Sequence, residues 1–82
     1  MNETVAAIKA IIADKMSVPP SYLDEDFTLD EMGLDSLMAA EVVLGVEERF
    51  AVALDMPRIG QSLKPETKLG ELLALVSGMV HA

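Results

Sequence analysis

The chain has 82 residues, enough for one domain and too few for two with separate cores. Hydrophobic residues make up 51% of it and aromatic residues only 4%, so the core must come from Leu, Ile, Val, Met and Ala, a mix that favours helix over strand. The absence of cysteine excludes a disulfide frame and a thiolate metal site, while a net charge of −8 argues against nucleic acid or an anionic membrane as partner.

The charge is concentrated. Nine acids and no Lys or Arg lie between Asp24 and Glu48, a field that steers basic partners to the middle of the chain or serves solubility alone. Met1-Asn2-Glu3 lacks the basic lead and apolar run of a signal peptide, and no apolar stretch approaches the ~20 residues that span a bilayer. The expectation is a soluble, cytoplasmic monomer with no stable membrane insertion, folded as one domain over residues 1–82.

The first helix is expected to start at Asn2 or Thr4, both acceptable N-caps. Val5, Ile8, Ile12 and Met16 recur at steps of three and four and give it one apolar stripe. Pro19 ends it, because the residue before a proline is pushed out of helical geometry. Residues 17–35 show no sustained period. Their scattered apolar side chains, Tyr22, Leu23, Phe27, Leu29, Met32 and Leu34, read as anchors of a long but ordered loop.

A second helix begins at Asp35 or Ser36 and runs to about Phe50. Ala39, Val43, Val46 and Phe50 form its core stripe. Leu37, Glu41, Leu44 and Glu48 fall together about half a turn away. Two leucines between two glutamates on an outward face suit a binding surface, or else a second core contact for Leu37 and Leu44. Asp55-Met56-Pro57 can cap and start a short third helix, which Gly60 and Pro65 keep short. The last helix takes Thr67 as cap and Leu69, Leu72, Leu73, Val76 and Val80 as stripe. The fold class is therefore all-α, a small four-helix bundle of three main helices and a short third one.

Ser36 invites three chemical readings. As a catalytic nucleophile it needs a base, and the only histidine is His81, close to the C-terminus. Gly33-Leu34-Asp35-Ser36-Leu37 also lacks the second glycine of a hydrolase elbow. As part of a helix start, Ser36 or Asp35 is simply an N-cap. As a point of attachment, a serine in the first turn sets whatever it carries beside unpaired N–H groups and the positive end of the helix dipole, which favours a negative charge there. Geometry alone does not choose between cap and attachment point.

The loop acids also fail as a calcium site. Asp24, Asp26, Thr28 and Asp30 occupy the odd positions of an EF-hand loop, but Leu29 stands where glycine makes the turn, and Asp35 replaces the closing glutamate. No metal ligands are assigned, and no paired-carboxylate chemistry, since so small a bundle leaves little room for a substrate cleft.

Met32-Gly33-Leu34-Asp35-Ser36-Leu37, followed by an acidic helix ending Glu47-Glu48-Arg49-Phe50, resembles the acyl carrier proteins. The resemblance extends along nearly the whole chain, through the acidic loop with Phe27, the short third helix and the closing helix. It implies a carrier and not an enzyme. Ser36 would bear 4'-phosphopantetheine, transferred from coenzyme A by a phosphopantetheinyl transferase with a divalent metal, and the terminal thiol would hold acyl groups as thioesters. It further implies that Asp35, Leu37, Glu41, Glu47 and Glu48 meet basic docking patches on acyl-loading and acyl-processing enzymes, and Leu44 joins them from the outward stripe. Ala39, Ala40, Val43, Ile59 and Leu63 would line an acyl pocket between the second and third helices. Met38, where fatty-acid carriers commonly have an acid, places the motif closer to polyketide-type or other specialised carriers. The initiator-like Met1 favours a free-standing protein. The competing reading is an acidic helical adaptor that binds a partner through the second helix without any prosthetic group.

Overall fold

Ile8 and Ile12 lie one turn apart and are fully shielded from solvent, as the apolar spacing of the first helix requires. In the computed structural model, which describes residues 3–81, they belong to helix α1 (Glu3–Met16). Asn2, one of the two expected caps, lies outside the described residues. Thr4, the other, sits within the first turn, buried, with its hydroxyl 2.7 Å from Nε2 of His81. The remaining main helices are α3 (Ser36–Phe50) and α5 (Leu69–Val80), with the short α4 (Met56–Ser62) between them. The all-α expectation holds.

The segment between α1 and α3 is more structured than its sequence suggested. It contains a single 3-10 turn (Pro20–Tyr22) and a one-turn helix, α2 (Leu29–Met32). Thr28 and Glu31 form a reciprocal capping box on α2: the Glu31 N–H donates to Thr28 Oγ1 at 3.1 Å, and the Thr28 N–H donates to Glu31 Oε1 at 2.9 Å. Gly33 closes α2 with φ 72°, a left-handed conformation that glycine adopts without strain. Of the six expected anchors, Leu23, Leu29 and Leu34 are buried and Phe27 and Met32 half-buried. Tyr22 is not an anchor; it is 58% exposed.

Backbone groups hold this segment as firmly as side chains do. The N–H groups of Leu29 and Asp30 donate to the carbonyls of Thr67 and Pro65, and those of Leu69 and Gly70 donate to Phe27 and Glu25, all at 2.8–3.0 Å. Thr28 and Lys68 make an isolated antiparallel bridge, and no strand occurs among the described residues. Thr67 consequently does not cap α5. Its hydroxyl donates to the Ser62 carbonyl and accepts from the Lys64 N–H, bracing the turn after α4, while Glu71 Oε1 accepts the N–H of Lys68, the actual N-cap.

The core joins Ile8 and Ile12 of α1, Val42, Val43 and Val46 of α3, Ile59 of α4, and Leu69, Leu72, Leu73 and Val76 of α5. Each such side chain contributes about 1.5–3 kcal/mol by leaving water. Val42 replaces Phe50 in the inward stripe of α3, Phe50 being only half-buried. Helix α3 packs on α1 and α4, and α5 packs on the same two. Gly45 permits the α1 contact, because a Cβ there would stand 3.0 Å from the Ile11 side chain. The shortest dimension of the molecule is 20 Å, about two helix diameters, so no side chain is far from the surface.

Candidate functional site

Asp35, not Ser36, caps α3. Its Oδ1 accepts the Met38 N–H at 2.8 Å, and its carbonyl accepts the Ala39 N–H at 2.9 Å. Ser36 is thereby released from the capping role and becomes the first residue of the helix, with its side chain exposed. The N–H groups of Ser36 and Leu37 take no hydrogen-bond partner among the described residues. They remain as donors at the positive end of a 15-residue helix, an environment that suits an anionic group joined to the serine oxygen.

A surface groove of about 350 Å³ opens beside Ser36. Leu29, Asp30, Gly33, Leu34 and Asp35 form one wall; Leu63, Lys64 and Pro65, after α4, form the other. Lys64 is the one cation on its lining among the described residues. The backbone bond from Asp30 to Pro65 fixes the two walls relative to each other. The residues present thus fit a phosphate-linked group: an exposed hydroxyl, unpaired N–H donors, a nearby cation and a channel for a flexible arm.

The outward stripe of α3 is exposed, with Leu37 at 72% and Leu44 at 56%, and Glu41 and Glu48 beside them. The alternative of a second core contact for the two leucines does not hold. Glu47 differs from its neighbours. It is half-buried, and its Oε2 accepts the Leu54 N–H at 2.8 Å, tying the chain back after the left-handed Ala51 that ends α3. One of its oxygens therefore serves the fold.

The five residues expected to line an acyl pocket do not share one. Ala39, Val43 and Ile59 face the bundle interior, whose free volume there is only about 10 Å³, roughly what one water needs. Ala40 lies about 100° further around the helix and is exposed to solvent. Leu63 is half-buried and lines the outer groove with Ser36.

His81, the only histidine of the sequence, hydrogen-bonds to Thr4 at the start of α1 and is not among the residues that line the groove beside Ser36. Among the described residues no group of three or more His, Asp or Glu side chains is placed to hold a metal ion. Thr28, one of the would-be calcium positions, is committed to capping α2. The Thr28 amide first, and its hydroxyl second, hold the Glu31 carboxyl below its ordinary range by hydrogen bonds to the charged form. No helix among the described residues is long and apolar enough to cross a membrane. Sequence reasoning missed Lys64 and Asp30 as groove residues, because nothing in the sequence pairs residues 29–35 with 63–65.

A small helical domain that exposes one serine at a helix N-terminus, over an open channel, has the build of a carrier for a tethered group. A family profile described as "Phosphopantetheine attachment site" matches residues 6–76, and the chain belongs to that family of acyl carrier domains. Such domains hold 4'-phosphopantetheine covalently, receive it from a phosphopantetheinyl transferase, and serve acyl-processing enzymes without being catalysts themselves. The chain is 36% identical over 55 residues to an acyl carrier protein of Zymomonas mobilis, spanning 66% of this chain and 70% of that one. It is 34% identical over 74 residues to the non-reducing polyketide synthase Preu3 of Preussia isomera, and 39% identical over 56 residues to the non-reducing polyketide synthase albA of Aspergillus niger. These alignments span 90% and 68% of this chain but only 3% and 2% of the two synthases. No solved structure matches the chain with comparable significance.

Proposed function

We propose that Ser36 is the attachment point of 4'-phosphopantetheine and that residues 1–82 act as one carrier domain for acyl intermediates of polyketide-type or other specialised biosynthesis. The observation that supports this most is the division of labour at the start of α3. Asp35 supplies the cap, so the Ser36 hydroxyl is exposed beside the unpaired Ser36 and Leu37 N–H groups and the groove. Once attached, the prosthetic group supplies a terminal thiol that forms thioesters. This chain's own residues do the rest. The two N–H groups and Lys64 offset the phosphodiester charge beside Asp35, and Leu29, Leu34, Leu63 and Pro65 give the arm an apolar bed. Leu37, Glu41, Leu44 and Glu48 present an apolar centre with an acidic rim to basic docking patches, Asp35 adding charge at one end and the remaining oxygen of Glu47 at the other. The polyketide-type assignment draws on Met38 after the motif and on the synthase relatives; a cytoplasmic location is part of the same proposal.

The test is direct. The protein is incubated with coenzyme A, magnesium and a broad-specificity phosphopantetheinyl transferase, and its intact mass is measured. A gain of one phosphopantetheine unit, abolished in Ser36→Ala, is the expected result. An unmodified wild-type mass with several such transferases would sink the reading and leave the acidic adaptor in its place.

A further inference from the structure

Helix α2 separates two grooves. Asp30 and Gly33 line the one that holds Ser36, while Glu31 and Met32 line another, of about 330 Å³, whose remaining walls are Met16, Val18, Tyr22 and Phe27. This second groove shares no lining residue with the first or with the outward stripe of α3. Its chemistry is that of a contact surface. The Tyr22 and Phe27 rings stand 6.0 Å apart at 56°, and Tyr22 is largely exposed although a buried position was expected for it. Two methionines with flexible thioethers flank the pair, a combination able to adapt to an inserted side chain.

Its charge says which side chain. Glu31 Oε1 is occupied by the Thr28 amide and hydroxyl, but Oε2 has no partner among the described residues and faces no cation on the groove lining. Asp24, Glu25 and Asp26, all exposed, run directly into Phe27. Asp24 accepts the Asp26 N–H at 2.8 Å, which fixes that turn without neutralising it. With a net charge of −8 on each chain, a second copy would meet this surface under mutual repulsion.

We propose that the groove is a second docking surface, and that its occupant is a basic segment of a partner protein. An apolar side chain of that segment sits between Tyr22 and Met32 while its Lys or Arg meets Glu31. The surface is independent of Ser36, so it serves the apo and modified chain alike, and its partner can bind while α3 is engaged elsewhere.

The probe is the synthetic peptide acetyl-Lys-Arg-Leu-Phe-Arg-Lys-amide, titrated into the full chain carrying isotope-labelled amides and methionine methyls. The expected result is saturable shifts at Met16, Tyr22, Phe27 and Met32 that decline with added salt. Tyr22→Ser, at an exposed position, should weaken the peptide roughly fivefold, and Glu31→Gln roughly twofold. A Leu37→Ser, Leu44→Ser double variant should keep the saturable shifts at Met16, Tyr22, Phe27 and Met32, whatever it loses along α3. Three results would overturn the proposal: no shifts at millimolar peptide; shifts confined to α3 that vanish in the double leucine variant; or sedimentation showing a dimer of this chain that covers Tyr22. Circular dichroism of each variant separates lost binding from lost folding.

Discussion

Ser36 and Ala39 are less than one turn apart on α3, yet they face spaces that differ more than thirtyfold in volume. Ala39 looks into an interior closed by Ile8, Val42, Val43, Ile59 and Leu72, with about 10 Å³ to spare. Ser36 looks over about 350 Å³ of open groove whose lining includes two carboxylates and an amine. Packing has filled one side of the helix to the density of a crystal, and the other side has been left for something the polypeptide does not itself supply. A cargo that enters the interior must therefore displace a helix, whereas a cargo that lies in the groove need displace only water. Of the helices that line that interior, α4 is the shortest, seven residues long with Ile59 as its one buried side chain.

Ile59→Ala attacks the closed side and carries the largest expected effect. Loss of the side chain should destabilise the fold by about 2–5 kcal/mol, read from the urea midpoint. It should also enlarge the interior, so that a long acyl chain on the loaded protein raises Tm more than a short one does. In the wild type, Tm that rises with acyl chain length would mean that α4 yields; equal Tm for all lengths would confine the cargo to the outer groove.

Asp35→Ala attacks the mouth of the open side. Loss of the bond to the Met38 N–H should cost about 1 kcal/mol, a fall in Tm of about 4–8 °C in a domain of this size. An unchanged Tm would mean that Ser36 takes over the cap, which would undo the division of labour on which the site depends.

Glu41→Lys combined with Glu48→Lys touches neither space. Stability should stay within about 0.5 kcal/mol of the wild type. Modification by the transferase should nevertheless slow, and its rate should lose much of its dependence on salt. A salt dependence equal to that of the wild type would remove α3 as the docking face.

The two sides of α3 were legible to different degrees. The members of its outward stripe could be read from spacing, because Leu37 and Leu44 lie between glutamates at helical intervals, but their exposure could not, since a second core contact fitted the same spacing until the structure excluded it. The inward stripe was misread only at its edges, with Val42 in place of Phe50. Helix α2 was spelled out as Thr28-x-x-Glu31 followed by Gly33, a capping box and a left-handed stop. Four residues, however, are too few to show a period, and Asp30 was weighed as a calcium position, and set aside, instead. The groove could not be read at all. Leu63 and Ala40 were grouped with the interior lining because sequence spacing places residues around a helix, not across a turn. What sets residues 29–35 against residues 63–65 is main-chain pairing, which leaves no mark on the choice of side chain. The same blindness hid the true role of Thr67.

That main-chain pairing has an evolutionary corollary. Residues 25–30 are latched to residues 65–70 by amides and carbonyls that every residue except proline can supply in full. Outward side chains such as Asp26 and Asp30 can then be exchanged while the latch stays shut. Surface around both grooves is free to drift toward new partners over time, with the fold underwritten by atoms that mutation scarcely reaches.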